Sequence, residues 1–250
     1  MSKRKEQIIR VCLLGPKYSG KTCLCSRFVN SNFEWLYEPT EEVRPYRKLT
    51  NITGDEDNKY YCQLLVEDLF PTNHPYLADP EQSQEAKEMS RYFDSVLENK
   101  TSKKKRNEKF LYKEHPVHAY MFVFDLTDKN SFEDLKNVVE YIDAREEKEQ
   151  GRKKTAGTVK VLVGTKADLK SENVVSQQRV DQFSKKHKLL FRKVSALQNS
   201  GVEETFLDLA MKVMDSNQDS IKEESDEESG EGVFRWCGCT SRSDSSCLVF

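Results

Sequence analysis

Apolar residues come in short uninterrupted runs, separated by longer stretches in which they recur every three or four positions. Ile8-Ile9-Arg10-Val11-Cys12-Leu13-Leu14 reads as a buried strand leading into a glycine turn. Residues 61–66, 120–124 and 159–163 form three further runs of this kind, and a weaker one covers 189–194. Helical patterns lie between them. Ser131, with Asp134 three positions later, resembles a capping box ahead of Leu135, Val138, Val139 and Ile142. Ser200 with Glu203 repeats the arrangement ahead of a helix carrying Val202, Phe206, Leu209 and Val213. Strands alternating with such helices need crossover connections. They therefore predict an α/β fold with a mainly parallel central sheet and helices on both faces. Ligands of such sheets bind beyond the carboxyl ends of the strands, where the connecting loops gather.

One of those loops carries chemistry. The first strand runs into Gly15-Pro16-Lys17-Tyr18-Ser19-Gly20-Lys21-Thr22, a G-x-x-x-x-G-K-[ST] phosphate loop followed by a helical stretch. The spacing lets successive backbone N–H groups point inward around a phosphate, and glycine permits both the dihedrals and the close approach. The helix that follows aims its positive end at the same anion. Lys21 would bridge β- and γ-phosphates, and the Thr22 hydroxyl would ligate Mg²⁺. Gly15, Lys17, Ser19, Gly20, Lys21, Thr22 and Cys23 are the phosphate-side candidates. Strand, loop and helix in this order predict a P-loop NTPase rather than a chance glycine turn.

The run 159–163 ends in Gly164-Thr165-Lys166-Ala167-Asp168. A carboxylate there accepts two hydrogen bonds from N1–H and the exocyclic amine of guanine, a pair of donors that adenine lacks. The Lys166 stem can lie along the base plane. Ser195-Ala196-Leu197, after the last strand, can offer a backbone N–H to the guanine O6. Each tetrapeptide alone is weak; with the phosphate loop, each at a strand end and in order, they are strong.

With these motifs in place the chain resembles the Ras superfamily of small GTPases over residues 7–215, and the fold implied is its G domain. The resemblance implies that Phe33 contacts the guanine edge. It makes Tyr37-Glu38-Pro39-Thr40 the first switch, with Thr40 ligating Mg²⁺ and sensing the γ-phosphate. Thr165 stands where Ras proteins have asparagine, a Rho-like variation, and Ser195-Ala196-Leu197 is likewise Rho-like. The cofactors implied are GTP or GDP with Mg²⁺. Expected protein partners are effectors, exchange factors and activating proteins.

Two departures bear on hydrolysis. In the family an alternating strand ends in Asp-x-x-Gly, followed by a glutamine that orients the attacking water. Here Leu64 and Val66 lead to Asp68, the choice for the magnesium-side carboxylate, with Glu67 the close alternative. Leu69-Phe70-Pro71-Thr72 follows, with neither the glycine nor the glutamine, and proline has no N–H to offer a γ-phosphate. Lys17 replaces a glycine at a position where any side chain crowds an incoming arginine finger, a device worth about 10³–10⁵ in rate. Slow hydrolysis is the expectation. The alternative is a GTP-binding pseudo-GTPase module held mostly in one nucleotide state. A P-loop enzyme using ATP, such as a kinase, is a third reading, opposed by the guanine loop and the C-terminal cysteine.

The stretch from Asp68 to Phe124 is longer than the family places there, so an insertion at about 71–116 lies beside the second switch. Asp79-Pro80-Glu81 has helix-start chemistry, and Ala86, Met89, Phe93, Val96 and Leu97 follow at helical spacing. Lys103-Lys104-Lys105-Arg106 reads first as a solvated loop. The domain is expected to span 1–215, with a flexible acidic tail over 216–250. That tail ends Cys247-Leu248-Val249-Phe250, a C-a-a-X pattern in which phenylalanine favours geranylgeranyl. A single lipid needs a second signal. Residues 216–246 hold eight acidic against three basic side chains, so Cys237 and Cys239, beside Phe234 and Trp236, are the palmitoylation candidates. A small metal site on Cys237, Cys239 and Cys247 is the rival, weakened by the missing fourth ligand. These signals imply a prenyltransferase as partner and the cytoplasmic side of the plasma membrane or an endomembrane as location.

Charge and composition only narrow this picture. Forty basic against forty-two acidic residues argue against a nucleic-acid binder. The longest apolar run, 119–124, is far short of the roughly 20 residues of a membrane span. Seven cysteines without framework spacing fit a reducing compartment. The four histidines show no metal-ligand spacing.

Overall fold

A computed structural model describes residues 7–38, 40, 44–53, 59–69, 117–150, 158–170 and 174–227. In chain order they form β1 (Gln7–Leu14), α1 (Lys21–Asn30), β2 (Arg44–Thr53), β3 (Lys59–Asp68), β4 (Ala119–Asp125), α2 (Lys129–Gln150), β5 (Val159–Thr165), α3 (Gln177–Lys186), β6 (Leu190–Lys193) and α4 (Val202–Glu227). The strands make one sheet in the order β2-β3-β1-β4-β5-β6. All neighbours are parallel except β2 and β3. The chain order reverses around β1, which lies between β3 and β4, and this opens a crevice above its carboxyl end.

Alternation in the strands divides the core into two layers. Ile9, Val11, Leu13, Leu64, Val66, Met121 and Val123 pack against α1 and α4, with Phe28 stacked on Phe206 at 3.9 Å. Cys12, Leu14, Phe122, Phe124 and Leu162 pack on the other face against α2 and α3, through Phe132, Leu135, Val139 and Phe183. The mainly parallel sheet with helices on both faces is therefore present.

Several local expectations need correction. The helix around Leu135 begins at Lys129, and Ser131 is not its cap: its hydroxyl accepts the Asp125 N–H, while Asp128 Oδ1 accepts the Asn130 N–H. Ser200 does not cap α4 either, because its backbone pairs with Ser195 and Gly201, at φ 70°, directly precedes the helix. Two elements went unforeseen. β2 is an edge strand with Pro45, Arg47 and Leu49 exposed, so its pattern carries little apolar signal. α3 buries only Val180, Phe183 and Ser184. The expected boundary at 215 falls inside α4, which continues to Glu227; this stretch contains neither glycine nor proline. The expected helix at 79–97, the basic run at 103–106 and the C-terminal cysteines lie outside the described residues.

One polar cluster interrupts the α2-side layer. Arg10 and Glu67, both fully buried, pair at 2.9 Å, and Glu67 Oε2 also accepts from Arg10 Nε and the Cys12 thiol. The Arg10 backbone N–H donates to His118 Nδ1. Removing one member of such a pair strands the other in a site that water does not reach. Glu67→Ala is therefore expected to lower the unfolding free energy by about 3–5 kcal/mol, read from urea denaturation.

Candidate functional site

The phosphate loop sits between the carboxyl ends of β1 and β4. A Cβ at residue 15 would lie 2.1 Å from the Val123 carbonyl oxygen, so only glycine lets the chain pass β4 this closely. Gly20, at φ 86°, turns the loop into α1 through a conformation that favours glycine. Ser19 closes the loop on itself, its hydroxyl donating to Pro16 O at 2.9 Å. Lys21 lies underneath, 5% exposed, donating to the carbonyls of Gly15 and Pro16 at 2.9 and 3.0 Å. Burial lowers its pKa to about 8, against the pull of Asp68. A phosphate in the loop supplies the counter-charge that favours the ammonium form.

Three oxygen-bearing side chains meet at the edge of this loop. Thr22 Oγ1 donates to Asp68 Oδ2 at 2.5 Å and lies 3.2 Å from Thr40 Oγ1. With its one proton given to Asp68, Thr22 accepts from Thr40. Asp68 is fully buried, and its Oδ1 has no hydrogen-bond partner among the described residues. Burial raises its pKa, opposed by Lys21 and Thr22. Hydroxyls and a carboxylate are hard oxygen donors of the type Mg²⁺ prefers, and the orphaned oxygen leaves acceptor capacity for a cation, so these residues fit that ion. Glu67, whose Oε1 likewise has no hydrogen-bond partner among the described residues, faces the opposite side of the sheet, away from Thr22, and pairs with Arg10 through Oε2.

The base-side loops assemble at the ends of β5 and β6. Thr165 Oγ1 reaches Ser19 O at 2.7 Å and Phe124 O at 3.0 Å, tying the phosphate loop to β4 and β5. Lys166, at φ 57°, pairs with Asp125 at 2.6 Å. Ser195 Oγ donates to Asp168 Oδ1 at 2.5 Å and accepts the Gln198 N–H. Arg27 on α1 links this end to the segment after α1. Its guanidinium donates to Ala196 O at 2.7 Å and Leu197 O at 3.4 Å, and lies 6.0 Å from the Phe33 ring centroid. The Cys23 thiol donates to Glu34 O. Tyr37 packs on Tyr18.

The candidates thus gather along one rim of the sheet: loop and carboxylate at β1 and β3, Asp168 and Ser195 at β5 and β6. Sequence reasoning missed Arg27, whose role depends on a partner 169 positions away, and Tyr18, which lies inside the motif but at a variable position.

Residues 106–215 match the Ras family. "Ras-related protein Rab-13" of Bos taurus is 22% identical over 214 residues, covering 86% of this chain and 84% of that protein. "GTP-binding protein YPT1" of Saccharomyces cerevisiae is 32% identical over 116 residues, 46% of this chain and 52% of its own length. "Ras-related protein Rab-10" of Caenorhabditis elegans is 30% identical over 105 residues, 42% and 48% of the two chains. These similarities support a small GTPase of the Ras superfamily. The segment matched to the Ras family carries the base-side loops, while the phosphate loop lies outside it in the N-terminal part.

Thr165 offers a direct check on how the loops are held together. Thr165→Val keeps the shape but leaves the Ser19 and Phe124 carbonyls without that hydroxyl. The expected loss is about 1–3 kcal/mol of unfolding free energy, with faster hydrogen exchange in residues 17–20; Thr165→Ser should retain both properties.

Proposed function

We propose that this protein is a guanine-nucleotide switch of the small GTPase class, in which Gly15 to Thr22 hold the phosphates and Asp168 selects guanine. The observation that carries the reading is the meeting of Thr22, Thr40 and Asp68 beside the buried Lys21. Thr22, Thr40 and Asp68 would hold Mg²⁺, whose charge would offset that of the phosphates. Lys21 adds a fixed cation from below, and the loop's N–H groups and the α1 N-terminus add partial positive charge. Thr40 belongs to the segment after α1, so its contact with Thr22 couples that segment to the phosphate end of the site. At the other end Ser195 orients Asp168 by a hydrogen bond, which leaves the carboxylate's remaining acceptor capacity for the paired donors of guanine. Trp35 and Leu36, 79% and 83% exposed, offer effectors an apolar surface next to the nucleotide-sensing threonine.

Slow hydrolysis belongs to the same proposal. Leu69-Phe70-Pro71-Thr72 supplies no glutamine, and Lys17 occupies the approach of an arginine finger. Membrane attachment through Cys247, aided by Cys237 and Cys239, follows from the C-a-a-X pattern and the aromatics beside it. No helix among the described residues is long and apolar enough to cross a membrane.

Calorimetry with GDP and ADP in Mg²⁺ tests the central claim: heat is expected for GDP alone, and equal binding of ADP rejects guanine selection. Single-turnover GTP hydrolysis should run well below the rate of an ordinary Ras protein measured alongside. Nucleotide extracted from freshly purified protein should contain GTP if hydrolysis limits the cycle. Fractionation should move Cys247→Ser protein from membranes to the soluble phase; unchanged partition excludes the anchor.

A further inference from the structure

Tyr18 sits in the phosphate loop at φ 62°, in the left-handed region that a bulky aromatic residue rarely adopts and glycine adopts freely. Its side chain is 64% exposed, so burial in the core does not explain why a tyrosine stands there. What the ring does touch is Tyr37, with centroids 4.4 Å apart and planes inclined at 38°. Tyr37 is itself 50% exposed and lies three residues before Thr40.

The segment from Phe33 to Thr40 is pinned to the rest of the site at separate points. Phe33 lies beside Arg27, the Glu34 carbonyl accepts from Cys23, and Thr40 meets Thr22. The first two contacts stand toward the base-side loops and the third at the phosphate end. Tyr18 and Tyr37 join loop and segment between them. A segment held at these points reaches from the base-side loops to the phosphate loop.

We propose that Tyr18 is a positioning residue for nucleotide retention: its ring packs on Tyr37 and clasps the strap that carries Phe33, Glu34 and Tyr37 over the phosphates, so that breaking the aromatic contact precedes release. The inference rests on the nucleotide-binding reading above. It adds a specific gate, one that a glycine at position 18 would lack. The left-handed backbone at Tyr18 accompanies the ring's contact with Tyr37, and strain of this kind clusters where a side chain is held for function.

The test is release of a fluorescent N-methylanthraniloyl-GDP from the full-length chain in Mg²⁺, chased with excess GDP. Tyr18→Gly removes the ring and relaxes the backbone together. It should release nucleotide about twofold to tenfold faster while melting at the same or a higher temperature, a split that a merely structural residue does not give. Tyr18→Phe should keep the parental rate, since the ring and not the hydroxyl makes the contact. Tyr37→Ala should match Tyr18→Gly, and the double variant should be no faster than the faster single one. Unchanged release from Tyr18→Gly, a Tyr18→Phe variant as fast as the glycine one, or additive effects in the double variant overturn the clasp. Failure of the parental chain to take up the fluorescent GDP overturns the nucleotide reading, and the clasp with it.

Discussion

The site depends first on a backbone-to-backbone approach. At Gly15 the phosphate loop passes so close to the Val123 carbonyl that no Cβ fits, and this sets the depth at which the loop lies between β1 and β4. From there the Thr165 hydroxyl holds Ser19, and Lys21 fills the underside of the turn by binding the Gly15 and Pro16 carbonyls. The loop is therefore held in shape by contacts with the protein's own backbone. Preorganised donors need little rearrangement when charge appears in front of them, which is how such a loop provides affinity.

A second constraint comes from the sheet. Successive residues of a strand face opposite sides, so adjacent carboxylates on β3 have different fates. Asp68 points toward α1 and meets Thr22 and Thr40, whereas Glu67 points toward α2 and neutralises Arg10 in a buried pair. What separates them is the face of the sheet: Asp68 stands at the edge of the loop, and Glu67 holds β1 to β3 on the other side. Support and chemistry thus sit back to back across the sheet.

The segment after α1 connects the two ends of the site. Arg27 carries the base-side loop and Phe33 together, and Thr40 reaches the phosphate end. A segment with contacts at both ends registers what occupies the space between them, the physical requirement for an order–disorder switch. The aromatic side chains exposed along it are costly to leave in water, and a partner protein that covers them recovers that cost.

The strands β1, β3, β4 and β5, the phosphate loop and the Thr165–Asp168 stretch were legible in the sequence because each is a local pattern. Apolar runs, glycine spacing and a carboxylate at a strand end need no knowledge of distant residues. The edge strand β2 and the thin helix α3 were not legible, since half-exposed elements bury too few apolar groups to leave a periodic trace. Capping was misread at Ser131 and Ser200 because their partners, Asp125 and Ser195, lie before the helix on the strand side. The sequence by itself determined the fold class and the phosphate loop. Only the tertiary structure decided which carboxylate faces Thr22, what Arg27 joins and where the Tyr18 ring rests, because those depend on which strand face and which neighbouring loop folding brings within a few ångströms.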